Sequence, residues 1–294
     1  MRILILGAAA GGGVPQWNCG CRNCTDAREG RIPSLTQSSI AVSADGARWL
    51  VLNASPDIRA QLAATPALWP GGLRGSPIEA VLLTNGDVDH VAGLLTLRES
   101  TPFDLYATSE IHGALAENPI FGVMKPDLVP RRTIELSDRL DIAGVGVEVF
   151  AVPGKVPLYK ESGDVKTDEI GEKTIGLALS ANGRRAIYTP GCAIVTDDLA
   201  ARTADADLLL FDGTVWENEE MPNLGVGPKT GRRMGHVQMS GDDGAMARFE
   251  RISARKVFIH INNTNPVLQP DGPERAAVTA AGWEIAFDGM EIDL

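Results

Sequence analysis

Basic charge, histidine, cysteine and long apolar runs are all scarce in this chain, and each shortage argues against something. Only 27 lysines and arginines face 38 acidic residues, a net charge of −11 over 294 residues. That balance argues against a nucleic-acid partner, because phosphate backbones are held by basic patches. No basic amphipathic helix can be drawn for attachment to a membrane surface. No stretch approaches the roughly 18–20 apolar residues that span a bilayer. The opening "MRILILGAAAGGGVPQW" has an apolar run of only a strand's length before a glycine loop, which does not fit a secretory signal. A cytoplasmic setting is therefore expected, in which the four cysteines are reduced thiols or metal ligands and not disulfides.

Strand-like and helix-like segments alternate along the chain. "MRILILG" reads as a first strand, and "SSIAVSA" and "ARWLVLNAS" as a hairpin-like pair joined by "DG". "PDIRAQLAA" has helical spacing, "IEAVLLTN" is a buried strand, and "HVAGLLTLRES" should be a helix. "FDLYAT" and "SEIHGALAEN" add a strand and a helix. "GVGVEVFAVPG", "TIGLALSA", "RRAIYTPG" and "DLLLFDG" are four more strand candidates. A helix over "SGDDGAMARFERI", a strand in "ARKVFIHINNTNP", a helix "GPERAAVTAAG" and a closing strand "WEIAFDG" complete the reading. Strands in runs, with helices between, favour a two-sheet core with outer helices over one doubly wound sheet. The polar, glycine-bearing stretches 159–173 and 216–233 read as long loops of the kind that cover binding sites. No domain boundary stands out, so residues 1–294 are expected to form one domain.

"NCGCRNC" puts Cys19, Cys21 and Cys24 within six residues. Three soft thiolates so close together suit a structural zinc, which normally takes four protein ligands. "GAAAGGG" after the first strand resembles a dinucleotide turn, but it runs into Pro15 and the cysteines instead of a helix, so close backbone packing explains it better. Of the four histidines, His112 lies inside a helix-like stretch and reads as an ordinary half-buried residue. His90, His236 and His260 instead follow or end glycine-bounded or strand-terminal segments ("VDH", "MGH", "FIH"), together with Asp89 and with Asp212 in "LLLFDG". Strand ends are where side chains project into a crevice, so these residues are site candidates.

"LLTNGDVDHVAGL" resembles the metal loop of the metallo-β-lactamase superfamily, Thr-His-x-His-x-Asp-His after a strand. In that alignment Asn85 and Asp87 replace two histidines, while Asp89 and His90 are retained. The next superfamily ligand falls on Lys155 in "VPGKV", the bridging aspartate on Cys192 in "YTPGC", and the final histidine on His260. More specifically, "GAAAGGGVPQWNCGCRNC", "TQSSIAVS", "NASPDIRAQL", "DHVAGLLTLRE", "YTPGC", "LLFDGTVW" and "MGHVQMS" resemble, in order along nearly the whole chain, a family that acts in assembly of the cofactor pyrroloquinoline quinone (PQQ). The resemblance implies an α/β (α+β) fold, a four-layer αββα sandwich. A phosphodiesterase branch of the superfamily also carries a clustered-cysteine zinc, completed three positions after the last active-site histidine. The matching position here is Asn263.

Dinuclear hydrolysis needs two metals, and an amide and an ammonium are poor replacements for imidazole ligands. Asp89, His90 and His260 remain, and two histidines with one carboxylate are the facial set of non-haem Fe(II) oxygenases. Asp212 and Cys192 would be further ligands or would support them. His236 and Asp87, with Lys155, would act in the chemistry, and Arg232, Arg233 and Lys155 would pair with substrate carboxylates. The resemblance then implies an iron-dependent hydroxylase acting on the tyrosine ring of a peptide-derived glutamate–tyrosine precursor. The alternative is a non-catalytic carrier of PQQ or its precursor toward the periplasm. Residual hydrolase activity ranks last. Other PQQ biosynthesis proteins are expected partners, and a homodimer is left open.

Overall fold

A computed structural model describes all 294 residues. Its strands are β1 (Arg2–Gly7), β2 (Ser39–Ser43), β3 (Trp49–Leu52), β4 (Ile78–Leu82), β5 (Asp104–Thr108), β6 (Arg131–Ile134), β7 (Arg139–Ile142), β8 (Val145–Gly154), β9 (Glu169–Ala181), β10 (Arg184–Thr189), β11 (Leu208–Asp212), β12 (Arg255–Ile259), β13 (Trp283–Ile285) and β14 (Glu291–Asp293). The helices are short: α1 (Arg22–Arg28), α2 (Ile58–Ala64), α3 (Val88–Val91), α4 (Ser109–Ala116), α5 (Asp197–Arg202), α6 (Glu220–Leu224), α7 (Gly231–Met234), α8 (Ala245–Arg248) and α9 (Pro273–Ala280).

Two seven-stranded sheets result, ordered β14-β1-β2-β3-β4-β5-β6 and β13-β12-β11-β10-β9-β8-β7. Each is mixed. Strands β3 to β6 run parallel, as do β10 to β13, and the other neighbours pair antiparallel. The two-residue period of a strand sorts the side chains. In the first sheet Ile3, Ile5, Ile40, Val42, Leu50 and Leu52 join a 54-residue cluster with Val147, Leu177, Leu210 and Val257 of the second. Their alternates Leu4, Leu6, Ala41, Trp49 and Val51 pack instead with Ile58 of α2 and Ile111 of α4. Leu199 of α5, Ala245 of α8 and Val278 of α9 belong to the larger cluster, on the second sheet. These layers make the expected αββα sandwich.

Several local readings change. The "HVAGLLTLRES" segment is α3 followed by a 3₁₀ turn at Ala92–Leu95, not a long helix. Gly93 explains this, because its N–H donates to Ala54 O (2.8 Å) and a Cβ there would stand 2.1 Å from Ser55 O. The backbone is pressed against another segment, and a regular helix would lift it away. The expected helix near residue 245 shrinks to the four residues of α8. The last third of the polar stretch 159–173 is not loop: β9 begins at Glu169. Stretch 216–233 contains α6 and most of α7. The cysteine-rich stretch runs into α1, and β14 brings the last residues beside β1, neither of which periodicity marks.

Candidate metal centre

The loop after β4 is positioned from below. Thr84 N donates to Asn53 Oδ1 (2.8 Å), while Asn53 Nδ2 reaches Thr84 Oγ1 and the Tyr188 hydroxyl (2.9 and 3.2 Å). The chain then turns into α3, which carries Asp89 and His90. Asn85 Oδ1 accepts the Asp87 backbone N–H (2.9 Å) and lies 2.7 Å from His90 Nδ1. An atom that accepts from an N–H is the amide oxygen, so His90 Nδ1 bears the proton and Nε2 presents a bare lone pair. That Nε2 is buried and has no hydrogen-bond partner. A buried polar atom left so costs about 1–3 kcal/mol unless something binds it. Burial brings His90 down to about 4, so the ring is neutral near pH 7.

Strands β11 and β12 supply the opposite wall. Asp212 pairs in register with Ile259, which places it beside His260. His260 adopts φ of +57°, a left-handed conformation that costs a non-glycine residue about 1 kcal/mol and ends the strand. The Thr214 hydroxyl sits at the centre. It donates to Asp212 Oδ1 (2.7 Å) and lies 2.8 Å from His260 Nδ1 and 3.1 Å from His236 Nδ1. His260 Nε2 faces Asp89 Oδ2 at 3.1 Å. Two triads follow, Asp89–His90–His260 and Asp212–His236–His260, each with its ligand atoms within 4.8 Å of one another.

Burial alone would raise both aspartates. Interactions with His90 and His260 outweigh it at Asp89, and those with His236, His260 and Thr214 at Asp212, so both carboxyls lie below their ordinary range. Burial would lower His260, but Asp89 and Asp212 raise it. His236 Nδ1 is 2.7 Å from Asp212 Oδ2, an arrangement that fixes the imidazole by a carboxylate. His236 also lines a polar cavity of about 270 Å³ with Arg232, Asn218, Gln238 and Asp243. Gly11 of the glycine loop closes over the other side, where a Cβ would lie 3.4 Å from Asp89 Oδ2.

The remaining expected residues divide. Cys192 is in neither triad: its thiol donates to Ile194 O (3.1 Å), while its backbone N–H donates to Asp212 Oδ2 (2.9 Å) and so supports that carboxylate. Burial pushes the thiol far above the ordinary cysteine range, so it is an unreactive, protonated group. Asp87 is in neither triad; its Oδ1 accepts from Leu158 N (3.2 Å) and lies 4.0 Å from Lys155 Nζ. Burial raises its carboxyl against the pull of Lys155. Lys155 and Arg233 both pair with Glu161 (3.1 and 2.9 Å). The Arg232 side chain has no carboxylate partner; its backbone N–H donates to Asn218 Oδ1 (2.9 Å).

The second cluster lies at the start of α1. Cys19, Cys21 and Cys24 bring their sulfurs within 4.8 Å of each other and form no disulfide. The Asn263 amide stands 3.3 Å from Cys24 Sγ and 3.7 Å from Cys21 Sγ. Which amide atom faces the sulfurs is an assignment, since oxygen and nitrogen interchange by a flip. Three thiols and an amide oxygen fit a tetrahedral zinc. Asn23 ties the same loop down by donating to Asn263 O and Asn265 O (3.0 and 2.9 Å).

Residues 48–261 match the sequence family described as a beta-lactamase superfamily domain. Coenzyme PQQ synthesis protein B of Ruegeria pomeroyi is 56% identical over 295 residues, covering 100% of both chains. The protein of the same name from Rhizobium meliloti is 52% identical, covering 100% of this chain and 98% of its own. The crystal structure of Zn²⁺-bound PqqB from Methylobacterium extorquens aligns with a TM-score of 0.98 at 56% identity over 100% of each chain. This chain belongs to the coenzyme PQQ synthesis protein B family, within the beta-lactamase superfamily. A role in PQQ synthesis goes with that membership. A diphosphatase of the PhnP family aligns with a TM-score of 0.69 at 19% identity, covering 100% of this chain and 97% of its own, and shares the fold alone.

In this member of the PQQ synthesis family, Asn85 supports the centre, and its amide oxygen aims His90. No helix is long and apolar enough to cross a membrane. Thr214, Asn53 and Glu161 are not marked by the sequence, and Asn85 is marked only as a replaced histidine. A serine, threonine or asparagine after a strand is common, and only its partners give it a role. "FDGT" after an apolar run was the one available pointer to Thr214.

Proposed function

We propose that Asp89, His90 and His260 hold an iron(II) ion and that the protein hydroxylates the tyrosine ring of a glutamate–tyrosine precursor of PQQ. The observation that carries this is the bare, buried Nε2 of His90 beside Asp89 and His260. Iron held by these two imidazoles and the carboxylate would supply O₂ activation. In the net reaction one oxygen atom enters the ring, and the other leaves as water with two electrons from an added reductant. Asn85 and Thr214 hold the two ligand imidazoles in register. Asp212 orients His236 through Nδ1, so that its other nitrogen can take the phenol or ring proton as oxygen enters. Arg232, free of any carboxylate partner and lining the cavity at His236, would bind a substrate carboxylate. Cys19, Cys21, Cys24 and Asn263 would hold a zinc that ties the N-terminal loop to the segment after β12.

The test is anaerobic loading with iron(II), then addition of O₂, ascorbate and the glutamate–tyrosine peptide, with the product read by mass spectrometry. A gain of one oxygen atom that disappears in His260→Ala is the expected result. Tight binding of the peptide with no oxygen incorporated would favour the carrier reading instead.

A further inference from the structure

Lys155 follows β8, Lys229 precedes α7 and Arg233 lies within it, yet all three cations meet on one carboxylate. Glu161 Oε1 is 3.1 Å from Lys155 Nζ and 3.3 Å from Arg233 Nη1, and its Oε2 is 2.9 Å from Arg233 Nη2 and 3.4 Å from Lys229 Nζ. The guanidinium thus grips it in a fork, the geometry by which arginine recognises any carboxylate. The Glu161 side chain is only 11% exposed and that of Lys155 10%. The only other acid on these cations is Asp87, 4.0 Å from Lys155 Nζ. Three cations against two carboxyl groups, Glu161 and Asp87, leave positive charge in excess, in a chain whose net charge is −11.

The seat adjoins the metal centre on two sides. Asp87 is two residues from Asp89, and Lys155 lies across Gly235, next to His236, where a Cβ would stand 3.4 Å from Lys155 Cγ. Its occupant is lightly tethered. Residues 162–168, which follow Glu161, make no hydrogen bond or ion pair with the rest of the chain. Before it, Leu158 N and the Tyr159 hydroxyl bond to Asp87 Oδ1 and Gly86 O (3.2 and 2.9 Å). The carboxylate that fills the seat therefore comes from a surface segment, not from the sheets that place the cations.

We propose that Lys155, Lys229 and Arg233 form a carboxylate-binding subsite beside the metal centre, and that Glu161 is its displaceable resident, exchanged for a carboxylate of the substrate. This rests on the reading of the centre as a site for a carboxylate-bearing substrate. An internal occupant lowers the apparent affinity for an external one by the fraction of time the seat is free. Removing its charge raises that affinity by about tenfold or more if the resident is present for over about nine-tenths of the time.

Calorimetric titration of the metal-loaded protein with glutarate tests this without turnover, using the uncharged glutaramide as control. Glu161→Gln should bind glutarate at least about tenfold more tightly than the unmodified chain, and neither protein should bind glutaramide. Adding Arg233→Gln to Glu161→Gln should abolish the gain. Thermal unfolding of both variants shows whether they are folded, and Glu161→Ala replaces Glu161→Gln if the latter is not. Equal glutarate affinity in the two proteins overturns the proposal, because Glu161 is then only a brace. A gain that survives Arg233→Gln also overturns it, since the anion is then on the metal. Neither result bears on whether oxygen is incorporated.

Discussion

Asn85 does with an amide what a second carboxylate or a backbone carbonyl does at many metal sites. It takes the proton-bearing nitrogen of His90 and leaves the other for the metal. Asn85→Ala removes that acceptor and frees the imidazole to turn, without touching a ligand atom. Iron or zinc affinity at the Asp89–His90–His260 centre should fall about 10–100-fold. Metal held by the thiols should stay, so a titration followed by elemental analysis separates the two. Unchanged affinity would mean that packing alone orients His90. The residue types carrying this site were legible only in part. Asp89, His90 and His260 stand out because carboxylate and imidazole at strand ends are rare without a reason. Asn85 read as a damaged ligand, because a neutral amide has no signature until its oxygen is seen between a backbone N–H and an imidazole.

At the scale of elements, α6 is coupled to the loop after β12 through one acid. Glu220, at the start of α6, is buried, accepts the Trp216 N–H (2.7 Å) and the Thr264 hydroxyl (2.6 Å), and lines a cavity of about 520 Å³ with Cys21 and Trp216. Burial raises its carboxyl to about 7, against the pull of Thr264 and Trp216. An unfolded glutamate ionises near 4.5, so from there to about 7 the folded chain holds a proton that the unfolded chain has lost. The stability this provides is fully present below pH 4.5, falls as the pH rises, and is gone above about 7. At about 1.4 kcal/mol per unit, its upper limit is about 3 kcal/mol. Glu220→Gln should therefore lose less stability than the unmodified protein between pH 5 and pH 8, measured as urea midpoints. Parallel curves would show that Glu220 does not titrate in this window. Element existence was readable from periodicity, but lengths were not. The run "HVAGLLTLRES" has helical spacing, and only the pressure of Gly93 on Ala54 and Ser55 stops the helix.

For the whole molecule, the thiol cluster matters because it is a long-range staple. Cys24 lies in α1 and Asn263 follows β12, 239 residues away in sequence. A metal bound there contributes to folding outright. Cys24→Ser should lose one metal equivalent and melt at least about 5 °C lower, given about 2–4 °C per kcal/mol in a chain of this size. A chelator should do the same to the unmodified protein. An unchanged melting temperature with the metal gone would leave the cluster without a structural part.

The sequence by itself determined the layered fold, because strand alternation and buried parallel runs such as "LLLF" have periods that survive any context. It also determined which side chains were able to bind metal, since few residue types can and this chain has few of them. What only the tertiary structure decided was which of them meet. Asp89 and His260 lie 171 residues apart, and their contact depends on where two sheets stack, a matter of register that no local pattern records. The same holds for Cys192, whose thiol turns away from the site, and for Glu161, an unremarkable acid in a polar loop until three distant cations close on it.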